Sequence, residues 1–122
     1  MEKEIGTFTA KSTSITKSSQ HGGAHNFQLN VEGNVTGEFE GVLLTTMNLT
    51  TNNLKSGTFG TDGAVYLKNG DIVVGIGVGV FSATGGHRWK LLGHILLGDG
   101  RLLRSESEID LASRSWSGKI YA

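Results

Sequence analysis

The sequence predicts an all-β domain in which eight or nine strands form an antiparallel meander closed into a small barrel. Three observations predict it. Apolar and polar residues alternate with period two through nearly every segment, with no sustained helical period. The chain holds 19 glycines and no proline, so its breaks are the glycine, asparagine and aspartate turns of hairpins rather than stiff linkers. In the run Val73-Val74-Gly75-Ile76-Gly77-Val78-Gly79-Val80, alternation places Gly75, Gly77 and Gly79 on one face and Ile76, Val78 and Val80 on the other. A face without side chains admits a close backbone, a bulky side chain or a ligand, and lets a sheet coil tightly enough to close. The run is not a nucleotide fingerprint, which requires a strand, a glycine turn and then a helix N-terminus.

The expected strands are 4–16, 24–34, 36–50, 54–60, 64–68, 71–83, 87–97, 101–111 and 115–121. The first contains Gly6-Thr7-Phe8. The second, entered from Gly22-Gly23, carries His25, Phe27, Leu29 and Val31 on its inner face. In the third, Phe39, Gly41, Leu43, Thr45, Met47 and Leu49 face inward, while Thr36, Glu38, Glu40 and Thr46 face out. Asn52-Asn53, Asp62-Gly63, Asn69-Gly70, Gly85-Gly86 and Asp99-Gly100 supply the positive φ angles of tight turns around the short strands 54–60 and 64–68 and the longer ones that follow. His87 and Trp89 are placed on an inner face. Leu91-Leu92-Gly93-His94-Ile95-Leu96-Leu97 is apolar on both faces, which leaves Leu92, His94 and Leu96 outside beside Val74, Ile76, Val78 and Val80. Leu103, Ser105, Ser107, Ile109 and Leu111 point inward against Arg104, Glu106, Glu108 and Asp110, and the last strand turns Trp116, Gly118 and Ile120 inward. The outward apolar strands near Leu92 and Leu96 predict a homo-oligomer.

The 122 residues suit one domain, 1–122, with a core of its own. Eleven basic and eleven acidic residues cancel, so no global field draws in nucleic acid or an anionic membrane, and neither is an expected partner. The absence of cysteine excludes disulfides, thiolate metal sites, iron–sulfur clusters and a cysteine nucleophile. The first residues form no apolar leader and no segment approaches a membrane helix, so a cytoplasmic location is the expectation.

Gly6-Thr7-Phe8, the segment Val31-Glu32-Gly33-Asn34-Val35-Thr36-Gly37-Glu38-Phe39-Glu40-Gly41, Gly57-Thr58-Phe59 and Gly98-Asp99-Gly100 together resemble small bacterial proteins of the allene oxide cyclase-like barrel family. That resemblance implies a calycin-like barrel of eight strands, often oligomeric, whose best-known members are cyclases or isomerases of hydrophobic, oxygenated substrates. No catalytic position of this chain matches a family signature.

The expected ligand-binding set is therefore His25, Phe27, Phe39, Met47, His87, Trp89 and Trp116, with aromatic walls and two histidine anchors around a small hydrophobic molecule. An alternative is a cofactor-independent cyclase or isomerase, and another is a non-catalytic interaction protein. His21 and His25 bracket Gly22-Gly23-Ala24, a spacing that converges on a metal when helical but not along a turn and strand, so no metal is expected. Glu106 and Glu108 beside Arg104 become catalytic candidates only if they face the lumen.

Overall fold

A computed structural model describes residues 2–19 and 22–122, so His21 lies outside the described residues. Eight strands run β1 (Glu4–Ser19), β2 (His25–Gly37), β3 (Gly41–Thr51), β4 (Ser56–Leu67), β5 (Ile72–Gly85), β6 (Arg88–Leu97), β7 (Leu102–Asp110) and β8 (Ser115–Tyr121). Each pairs with its neighbour in sequence, and β8 returns to β1 to close the barrel. All eight pairings are antiparallel. Closure leaves no ladder unpaired along most of the wall. β1 is the exception, since it pairs with β8 only up to Lys11 and then bulges between Ser12 and Ser14.

Two elements differ from the sequence reading. The segments 54–60 and 64–68 are one strand, because Asp62 and Gly63 continue the ladder opposite Thr46 and Thr45 on one side and Ile76 and Gly75 on the other. Gly63 serves there as a packing position: a Cβ would lie 2.5 Å from the Thr45 side chain. Conversely, the stretch 36–50 is broken by a turn, where Gly37 at φ 110° ends β2 and β3 begins only at Gly41. Phe39 sits in that turn and folds back to 8 % exposure, with the Arg101 guanidinium 5.2 Å above its ring. Positive φ falls at the expected Gly22, Gly23, Gly70, Gly85, Gly86 and Gly100, but the β3–β4 turn takes it at Leu54 rather than at Asn52 or Asn53, and the glycine-free β7–β8 turn takes it at Arg114.

Inner and outer faces follow the alternation. Leu29, Val31, Met47, Leu49, Leu91, Leu103 and Ile109 are buried inside. Arg104, Glu106 and Glu108 lie outside, since Leu103, Ser105, Ser107 and Ile109 occupy the buried positions between them. Arg104 donates to the carboxylates of Glu2 and Glu106. Its guanidinium holds both carboxyls below the usual glutamate range. Because Glu106 is depressed in the folded state, its contribution is complete above the unfolded value of about 4.3 and is lost as pH falls through the lower folded value. Below that onset the unfolded chain binds more protons, so stability drops with acid. Glu106→Gln is expected to make the acid limb of a thermal-midpoint-versus-pH curve shallower, and an unchanged limb counts against this pairing.

Candidate functional site

The lumen divides into two parts. Toward the end carrying the β1–β2, β3–β4, β5–β6 and β7–β8 turns, it is solid. Met47, Leu49, Phe59, Phe81, Trp89, Leu91 and Ile109 form one cluster with Phe27 against it. Trp89 stands at its centre, 5.5 Å from the Phe27 ring and 5.0 Å from Phe81. Toward the other end, Ile5, Phe8, Val35, Phe39, Leu97, Leu103 and Ile120 form a second cluster. Trp116 packs on both and meets Phe8 edge-on at 4.6 Å.

A cavity of about 100 Å³ opens in the second part, bounded by Phe8, Val35, Phe39, Leu43, Val65, Val73, Ile95 and Trp116. Its origin is legible in the ladder. One inner row runs Met47, Thr61, Gly77, Ile95, Leu103, and the next carries Thr45, Gly63 and Gly75, so the β4–β5 wall is built of small residues at two successive levels. Side chains that would fill the centre are missing there. One level away the glycine face has another use: a Cβ on Gly79 or on Gly93 would come within 2.7 Å of the Phe59 ring, which lies across both. Gly79 also lets β6 approach so closely that a Cβ would fall 2.1 Å from the Leu92 carbonyl oxygen.

The chamber is apolar with a few polar points. Thr45, Thr61 and Ser105 border it. The Thr45 hydroxyl is already committed, donating to the Asp62 carbonyl oxygen at 3.1 Å. The Trp116 Nε1 is buried without a hydrogen-bond partner. A buried donor left unpaired costs about 1–3 kcal/mol, so an acceptor brought to this ring by an occupant recovers that amount.

The structure therefore distributes the expected ligand-binding set unevenly. Phe39 and Trp116 border the chamber. Phe27, Met47 and Trp89 belong to the solid part, with Met47 at 0 % exposure. His25 lies at the rim, where its Nδ1 is 3.1 Å from Lys17 Nζ and 3.4 Å from Ser19 Oγ. His87 is an exposed turn residue at φ 67° rather than an inward strand residue, because β6 begins one position later at Arg88. The two histidines do not meet at the chamber. Among the described residues no group of three or more His, Asp or Glu side chains gathers as a metal site. The hairpin composition of Asp62-Gly63 hides Thr61 in the sequence, since it suggests a turn where β4 in fact runs on. The chamber positions Leu43, Thr45 and Ser105 were legible as inward but not as neighbours.

The outer face of β5 is the second feature. Ile72, Val74, Ile76, Val78 and Val80 are 52–61 % exposed, and Leu92 and Leu96 on β6 with Leu102 on β7 beyond it are 42–66 % exposed. On the other side Tyr66 stands next to Ile72 and Ala64 next to Val74, followed by Val42 and Leu44 on β3. The β7, β8, β1 and β2 side of the barrel carries Arg104, Glu106, Lys119, Lys11 and Glu32 instead.

Comparison with protein-family models, curated proteins and solved structures finds no match to this chain. The eight-stranded antiparallel closed barrel stands on its own geometry.

Proposed function

We propose that the barrel binds a small, predominantly apolar molecule in the chamber between Trp116 and the Phe39 turn. The observation that carries the reading is the unfilled volume of about 100 Å³ bordered by Trp116, a residue whose indole N–H is buried and unpartnered. Scaling from an engineered 150 Å³ cavity that holds benzene, the chamber of about 100 Å³ admits about four non-hydrogen atoms, a small fragment or the end of a longer chain. An oxygen on that group accepts from Trp116 Nε1. Phe39, covered by Arg101, is the stopper at the near end. Binding is favoured over acid–base turnover because the carboxylates with shifted protonation, Glu2, Asp99 and Glu106, all lie on the outer surface. A cyclase or isomerase needs such a group inside.

Xenon-pressurised crystals test the chamber directly. Density between Trp116, Val73 and Ile95 is the expected result, together with a rise in thermal midpoint on adding a short ketone such as acetone. Ser105→Leu projects into the same space and is expected to abolish both signals while stabilising the free protein by about 1 kcal/mol, part of the roughly 24 cal/mol per Å³ that a cavity costs. An empty chamber under xenon and no midpoint shift reject the reading.

A second reading rests on the β5 face. Eight large apolar side chains at about half exposure present on the order of 800 Å², above the largest patch of an ordinary monomer and close to one partner's share of a standard stable interface. We read it as a contact between copies of this chain.

A further inference from the structure

The outer surface of the barrel forms a grid whose middle rows are specific. One row runs Asn48, Gly60, Val78, His94 across β3 to β6, and the next runs Thr46, Asp62, Ile76, Leu96. Gly60 has nothing over its outer face, for a Cβ there would meet only the Gly77 carbonyl oxygen, at 3.7 Å. The result is a dimple lined by Thr46, Asn48, Asp62, Ile76 and Val78. On the opposite flank of β5, His94 stands out from the wall, exposed. Among the described residues neither the Asp62 carboxylate nor the His94 ring takes part in a side-chain hydrogen bond or ion pair within the chain.

Covering this apolar stripe takes both groups out of water, which is costly unless each finds a partner. The stripe carries the two halves of that pairing on opposite sides: a hole beside a carboxylate on β4 and a projecting imidazole on β6. A two-fold contact satisfies both at once, because in an isologous interface whatever residue i meets on residue j, residue j meets on residue i. Resting on the reading of the β5 face as a contact between copies, we propose that two barrels dock about a two-fold axis running along β5 through Val78. His94 of each copy seats in the dimple over Gly60 of the other and donates a ring N–H to its Asp62 carboxylate. The pairing is what selects a second copy over any other apolar surface. The outward β5 side chains meet their own copies along the axis, Val78 against Val78 with Ile76 and Val80 doing the same above and below it.

Sedimentation equilibrium over a concentration series, with far-UV spectra to confirm the fold, tests both levels. The wild type is expected to be dimeric and Val78→Glu monomeric, since the axis sets the two glutamates against each other. His94→Asp opposes carboxylate to carboxylate twice and is expected to weaken the dimer at least about tenfold. The exchanged variant Asp62→His with His94→Asp rebuilds both pairs and is expected to return within about threefold of wild type. If Val78→Glu dissociates the dimer but His94→Asp does not, or the exchange fails to restore it, the pairing is wrong and the face reading survives. A wild type that stays monomeric at every concentration overturns both.

Discussion

Trp89→Ala is expected to cost about 3 to 5 kcal/mol, the range for deleting a buried aromatic side chain. At roughly 4 °C per kcal/mol for a domain of this size, the thermal midpoint falls by about 12–20 °C. The reason is position. Trp89 is 5 % exposed and contacts the Phe27 and Phe81 rings across the solid half of the lumen. Removing it leaves the centre of a closed wall that cannot collapse inward, because every strand is held on both sides by its ladder. Trp116→Ala is expected to cost less, since that ring already borders an unfilled space. Urea unfolding of the two variants at matched protein concentration measures the difference. Equal losses, or a small loss for Trp89, would mean that the two halves of the lumen are packed alike.

Gly79→Ala is the second large effect, expected at about 3 kcal/mol, the upper end of overpacking penalties. A methyl there would lie 2.1 Å from the Leu92 carbonyl oxygen, 2.6 Å from the Gly93 Cα and 2.7 Å from the Phe59 ring. Two of these neighbours are backbone, so the strands themselves must part. Gly75→Ala is the control on the same strand and face. Its methyl would meet only the Ile95 and Leu97 side chains closely, at 3.2 Å, and would enter the chamber. It is expected to cost under about 1 kcal/mol. Denaturant midpoints for the pair decide whether the glycine face is uniform or divided between close backbone approach and open volume. If both variants unfold at the wild-type midpoint, the close approach of β5 and β6 is not a feature of this protein in solution.

How far the site was legible depends on which geometric quantity is asked of each residue. Whether a side chain enters the lumen is a matter of parity, and parity is written locally. Leu43, Thr45, Met47 and Leu49, or Leu103, Ser105, Ser107 and Ile109, announce their face by alternation alone. The glycine run on β5 announced both its empty inner face and its apolar outer one. Parity carried the inward assignment of Trp89 and Trp116 and the outward assignment of Arg104, Glu106 and Glu108. It failed for His87 because a turn with φ 67° intervenes before the strand begins, and it placed Phe39 inward although that ring reaches the lumen from a turn rather than from the strand the parity assumed. Asp62-Gly63 has the composition of a hairpin turn, yet partners on both sides keep it in the ladder. Local turn preference is worth less than the hydrogen bonds and contacts of a central strand.

Fold class, meander and the inner or outer face of nearly every strand residue are written in the chain, since they follow from a two-residue period and from turn residues at the hairpins. The level of each side chain along the barrel is set by the assembled fold. Level depends on register between strands, on the bulge in β1 and on the lengths of distant turns, none of which a single strand contains. That is why Met47 and Trp89 came to fill one half of the lumen while Thr61, Gly63, Gly75 and Gly77 came together to leave the other half open.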